Sequence, residues 1–157
     1  MKILIPVDGS EPALEAARHA LHLVQAGLQA SFVLAAVQEP VYLYETMLSP
    51  DAEVLDRLTG AEGGQALAAA QALFDAAGVS YEREIASGEP VPALIEVARR
   101  YKCDAIIMGA RGRGALRSAL LGSVSQRVVQ QAALPVTIVK QAQAERVGLR
   151  AASASSS

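Results

Sequence analysis

Asp104-Ala105-Ile106-Ile107-Met108-Gly109-Ala110-Arg111-Gly112-Arg113-Gly114-Ala115-Leu116-Arg117-Ser118-Ala119-Leu120-Leu121-Gly122-Ser123-Val124-Ser125 is the stretch from which the fold is read. Asp104 to Met108 is a strongly apolar run of strand length. From Gly109 to Gly122 the chain turns Gly- and Arg-rich. Ser123 to Ala133 then carries Val124, Val128 and Ala132 in helical register. Strand, glycine loop and helix in that order form part of a βαβ unit, the building block of parallel sheets with right-handed crossovers.

The same alternation continues on both sides. Leu134-Pro135 breaks the helix, and Val136 to Val139 is a last strand. Upstream, Glu89-Pro90-Val91-Pro92 starts a helix with Leu94, Ile95, Ala98 and Tyr101 on one side. Val79 to Ala86 is a more polar strand, expected nearer an edge. Gln65 to Ala77 is an Ala-rich helix ended by Gly78, and Glu39 to Gly60, with Pro40 and Pro50, reads as a long loop with room for a helical turn. Ala30 to Val37 is an apolar strand expected to be buried on both faces. At the N-terminus, Lys2 to Val7 is a strand ending at the turn Asp8-Gly9-Ser10. Ser10 is the expected N-cap of a helix carrying Leu14, Ala17, Leu21 and Val24 and stopped by Gly27. The order β-α-β-α-β-α-β-α-β predicts one α/β domain over residues 1–141. Residues 142–157 lose periodicity and end in Ala/Ser, which predicts a disordered tail.

Composition narrows the function. With 157 residues, 52% hydrophobic and 19% charged, the chain can bury a core without a disulfide or structural metal. Aromatics are only 4% and the net charge is −2, which disfavours nucleic acid as a partner. Cys103 is the sole cysteine, set among apolar residues, and reads as a packing residue at a strand edge. No apolar run reaches the length of a membrane span, and the first residues are too short for a signal peptide, so a cytoplasmic protein is expected.

In an open parallel sheet, ligands bind beyond the carboxyl ends of the strands. The segments leaving those ends are Asp8-Gly9-Ser10, Val37-Gln38-Glu39, Ser87-Gly88-Glu89 and the Gly109–Gly122 loop. In the last, glycines allow close backbone approach, and Ser123 and Ser125 open a helix whose free N–H groups favour an anion. No Asp or Glu lies between Asp104 and Glu145, whereas Arg111, Arg113, Arg117 and Arg127 do. These features fit a phosphate cradle; they also fit a surface loop with arginines for solubility before an ordinary helix. The pattern is neither a Walker loop, which needs Gly-Lys-Ser/Thr, nor the dinucleotide fingerprint, which follows a first strand.

Gly109, Gly112, Gly122 and Ser123 match the pattern Gly, two residues, Gly, nine residues, Gly, Ser/Thr. With Ile3-Leu4-Ile5-Pro6-Val7-Asp8-Gly9-Ser10 at the start and Leu134-Pro135-Val136-Thr137-Ile138-Val139 at the end, the sequence resembles the universal stress protein family over about Met1 to Lys140. The resemblance implies an open five-stranded parallel sheet of order 3-2-1-4-5 with helices on both faces, a Rossmann-like fold. It further implies ATP, with Mg²⁺ as a possible companion, between the first and fourth strands. Carried over by position, Pro6, Val7 and Asp8 line the adenosine side, Val37 meets adenine through its backbone, and Met108 and Gly109 border the ribose. Gly112, Arg113, Gly122, Ser123, Val124 and Ser125 hold phosphates, with Arg111 beside them. Relatives often carry His at the Arg111 position, and Arg113-Gly114-Ala115 lacks their hydroxyl or amide residues. The family's habit of pairing last strands implies a homodimer through Val136, Thr137, Ile138 and Val139.

Asp8 has two readings, a ligand to ribose or Mg²⁺ and a turn residue bonding the backbone two positions on. His19 and His22, three apart on the first helix, read as surface residues. Tyr42, Tyr44 and Met47 form either a lid or a packed loop. No residue stands out as a catalytic base, so slow ATP hydrolysis at most is expected. Three functions remain open: a nucleotide-binding regulatory protein in stress response, a slow hydrolase or nucleotide-dependent transferase, and a nucleotide-free dimerising module.

Overall fold

A computed structural model describes residues 1–39, 52–112 and 121–140, with backbone alone over 52–62. Lys2–Pro6 forms β1, Glu11–Gln25 α1, Ser31–Gln38 β2, Ala52–Ala76 α2 and Tyr81–Ser87 β3. Pro90–Arg100 follows as α3, Ala105–Gly109 as β4, Ser123–Gln131 as α4 and Val136–Val139 as β5. The five strands make one parallel sheet of order β3-β2-β1-β4-β5. The expected fold is therefore observed, with polar β3 at one edge and short β5 at the other.

Strand alternation splits the core into two layers. Ile3, Ile5, Phe32 and Leu34 face α1 and α2, where Ala16, Ala17, Leu67 and Phe74 meet them. Leu4, Val33, Ala35 and Ile106 face α3 and α4, meeting Leu94, Val97 and Val128. Small residues on α1 (Ala13, Ala16, Ala17 and Ala20, all buried) let that helix lie close to the sheet. Phe74 is the bulky exception, edge-on to Phe32 at 5.2 Å between centroids and to Tyr81 at 5.8 Å. Cys103 packs in the second layer immediately ahead of β4, as expected.

The helix expected from Gln65 begins instead at Ala52, inside the segment read as a loop. The loop reading rested on Pro50 and Gly60, and Gly63 and Gly64 add to the weak helix propensity there. Packing explains Gly63: a Cβ there would lie 2.5 Å from Gln38 Nε2 and 2.8 Å from Ile85 Cγ2. The glycine lets α2 lie directly on the ends of β2 and β3. Residues 40–51, with Tyr42, Tyr44 and Met47, and residues 141–157, with the expected tail, fall outside the described residues.

Candidate nucleotide site

β1 pairs with β2 on one side and with β4 on the other, so the direction of winding reverses between β1 and β4. At such a switch point the helices leave to opposite faces and a crevice opens at the carboxyl edge. Here it is a cleft of about 290 Å³. Twelve of the thirteen residues singled out in the sequence line it: Pro6, Val7 and Asp8 from β1 and its exit, Val37 from β2, Met108, Gly109, Arg111 and Gly112 from β4 and its exit, and Gly122, Ser123, Val124 and Ser125 at the start of α4. Arg113 lies outside the described residues.

Part of the cleft lining is apolar. Ala35, Val37, Met108, Pro90 and Leu94 line it. Ala35, Pro90 and Leu94, together with Glu39 and Ala13, had no signal in the sequence beyond their places near strand ends and helix starts. They converge only once the strand order is known. The N-terminus of α3 adds few donors, because residues 90 and 92 are both proline.

Another part is backbone at the start of α4. Gln126 N–H donates to Gly122 O at 3.0 Å, the first turn of α4. The N–H groups of Ser123, Val124 and Ser125 precede that bond, have no partner within the helix, and receive no side-chain cap from Gly122. The positive end of the helix dipole is added to them.

The two described ends of the β4–α4 loop are held together and to β5. Ala110 N–H donates to Val139 O at 3.0 Å, and Ala110 O accepts from Gly122 N–H at 2.7 Å. The same carbonyl accepts from the buried Ser125 Oγ at 2.7 Å, and Gly122 O accepts from that hydroxyl at 3.1 Å. Ser125 was expected to hold phosphate. Its side-chain proton is instead engaged with the loop's own backbone, so toward the cleft it has its N–H to offer.

Two glycines set close approaches. A Cβ on Gly109 would fall 2.6 Å from Pro12 O and 2.7 Å from Pro12 C, so the end of β4 rests on the first turn of α1. A Cβ on Gly112 would fall 2.5 Å from Asp8 Oδ2. The other oxygen of Asp8, Oδ1, accepts from Ser10 N–H at 2.9 Å and from the Ser10 hydroxyl. Gly9, at φ +82°, supplies the left-handed turn that brings Ser10 back to Asp8. The turn reading of Asp8 is thus observed, while the carboxylate also lines the cleft. His19 is half-buried and His22 exposed on α1. Among the described residues no group of three His, Cys, Asp or Glu side chains could hold a metal ion.

An apolar recess, a helix N-terminus and an arginine-bearing glycine loop meet at the switch point of a doubly wound α/β domain. A model of the universal stress protein family matches residues 1–140, and the chain belongs to that family. A universal stress protein of Methanocaldococcus jannaschii is 33% identical over 153 residues, covering 92% of this chain and 84% of the relative. Among solved structures, the universal stress protein UspA of Lactobacillus plantarum superposes with a TM-score of 0.75 at 26% identity, covering 88% of this chain and 97% of its own. A universal stress protein in complex with cAMP superposes with a TM-score of 0.61, also at 26% identity, covering 88% and 95%. Among the described residues no helix is long and apolar enough to cross a membrane.

Proposed function

We propose that this protein binds an adenine nucleotide, ATP, and acts as a nucleotide-dependent regulator in stress response. The observation that carries this is the make-up of the cleft lining: apolar side chains for a base and, at the start of α4, three backbone N–H groups without a partner among the described residues for phosphate. The cAMP held by a structural neighbour supports adenine as the base. Pro6, Val7 and Val37 frame the adenosine, Met108 and Gly109 border the ribose, and the Gly112, Gly122–Ser125 arc takes phosphates, with Arg113 as a further contact.

Mg²⁺ would enter with the phosphates and not on a cluster of protein ligands, since among the described residues no such group gathers. The carboxylates lining the described cleft are Asp8 and Glu39, and Asp8 Oδ1 already accepts twice from Ser10. A small cation that keeps most of its water suits such a site. Hydrolysis is slow at most. The bound nucleotide orders the loop, and through Ala110 and Val139 it reaches β5, whose outer edge Val136–Val139 pairs with a second copy to form a homodimer in the cytoplasm.

The test is the nucleotide carried by protein purified from cells, released by denaturation and identified, together with thermal melting in millimolar ATP. ATP is expected to raise the melting temperature by several degrees. Gly122→Asp is expected to abolish the rise by placing a carboxylate at the mouth of the helix. Equal melting with and without ATP would leave only a dimerising module.

A further inference from the structure

We infer that Met108 is a modification site: hydrogen peroxide converts its sulfur to the sulfoxide when the cleft is empty, and the oxidised site no longer holds nucleotide. The inference rests on adenine-nucleotide binding in the cleft and adds a control on it.

Three observations meet at Met108. It lines the cleft, and its side chain belongs to the core layer of Val37, Leu94 and Val124, which line the cleft with it. It is 5% exposed, whereas Met1 is 66% exposed. β4 is flanked by β1 and β5, with Met108 opposite Ile138 in the ladder, so a reagent reaches this sulfur by way of the cleft. The side chains of the apolar lining, Ala35, Val37, Pro90 and Leu94, carry no hydrogen-bond donor.

A thioether sulfur is soft and polarisable and lies readily among such neighbours. Its sulfoxide is polar and chiral. The step balances. A sulfur lone pair takes one peroxide oxygen, the S–O bond forms as the O–O bond breaks, and the departing hydroxide picks up the remaining proton as water. Sulfur is oxidised by two electrons and peroxide is reduced. The new oxygen is an acceptor with no side-chain donor among the apolar lining, and covering it with a nucleoside leaves it without water. Occupancy acts in the other direction. A nucleoside seated against Met108 covers the sulfur and keeps peroxide from it. A filled site is thus shielded, and an empty one that is oxidised stays empty.

The full chain is treated with hydrogen peroxide with and without ATP. Sulfoxide at each of the three methionines is followed by peptide mass mapping, and ATP affinity is measured by calorimetry once peroxide is removed. ATP at about ten times its Kd leaves about a tenth of the sites empty and is expected to slow oxidation of Met108 about tenfold, with Met1 unchanged. Conversion of Met108 is expected to weaken ATP binding about tenfold. Met108→Leu, a volume-conserving change, is expected to keep after peroxide the affinity it had before. That comparison separates Met108 from Cys103, a buried sulfur that does not line the cleft. Equal oxidation of Met108 with and without ATP overturns the proposal while nucleotide binding stands. So does a Met108 left untouched when Met1 is fully converted, an affinity unchanged by its conversion, or an equal loss in Met108→Leu. Loss of the circular-dichroism spectrum on conversion makes the effect unfolding and overturns it too. Absence of ATP binding by the untreated protein sinks the parent proposal instead.

Discussion

Asp8 and Gly112 are in contact across the mouth of the cleft: the Asp8 carboxylate occupies the space a Cβ on Gly112 would take, 2.5 Å from Oδ2. β1 and the glycine loop are thereby joined where the ligand would enter. Gly112→Ala should push Asp8 off its Ser10 contacts or lift the loop. We expect a loss of about 1–3 kcal/mol by urea denaturation, the range for overpacking, and loss of ATP-dependent stabilisation. Asp8→Ala removes the obstacle, so the double variant should be less unstable than the two single losses added together. Simple additivity would show that the contact is inconsequential.

Ser125→Ala removes the hydroxyl that bonds Ala110 O at 2.7 Å in a buried site. Ala110 O keeps its bond from Gly122 N–H, so the carbonyl is not orphaned. The expected cost is about 1 kcal/mol, seen as a fall of about 3 °C in melting temperature. Ser123→Ala, at an exposed hydroxyl, is expected to leave stability unchanged within about 0.5 kcal/mol. Equal effects from the two would refute the locking role of Ser125.

Gly63 and Gly64 are neighbours on α2 with opposite expectations. Alanine raises helix propensity at either by about 1 kcal/mol. At Gly64 the nearest atom to a Cβ is an Arg83 nitrogen at 3.9 Å, so Gly64→Ala should stabilise. At Gly63 the Cβ would strike Gln38 Nε2, a buried nitrogen with no hydrogen-bond partner among the described residues. Gly63→Ala should therefore destabilise by about 1–2 kcal/mol net, measured by the urea midpoint.

Cys103 gives a pH dependence. Burial pushes its thiol above the ordinary 9.0, against the opposing pull of the Lys2 ammonium, while Asp104 and Glu82 push it further up. The folded chain thus keeps a proton that the unfolded chain releases. Stability from this group is fully present below about pH 9 and is lost as pH rises through the folded value. Urea midpoints at pH 7, 8.5 and 10 should fall more steeply for the wild type than for Cys103→Ala. Tyr101 is also raised, by its hydrogen bond to Glu84, and ionises in both proteins, so the difference between them isolates the thiol. Parallel slopes would exclude it.

Much of this was legible because hydrophobic runs and glycine punctuation are local signals. Ile3–Ile5, Phe32–Leu34 and Ile106–Met108 announce buried strands by themselves, and the Gly109–Ser123 spacing marks the loop. The start of α2 was not legible, since glycines that weaken a helix in isolation are what fit it against Gln38 and Ile85. Nor was the direction of the Ser125 hydroxyl, which depends on the path by which Ala110 returns past Gly122. Pro90 and Leu94 belong to the cleft only because β2 and β4 lie on either side of β1, a relation between segments far apart in the chain.

Pro90 and Pro92 have a consequence of their own. All four described helices follow a strand and begin at this rim of the sheet, and α3 and α4 bring residues of their first turns to the cleft. Here proline rings replace two of the first three N–H groups of α3, while α4 keeps all of its own. A nucleotide bound as proposed would therefore lie along the rim in one sense: turned end for end, it would press its charge on hydrocarbon rings and its base on amides. The direction of binding would then be set by the helix whose first turn is closed by proline.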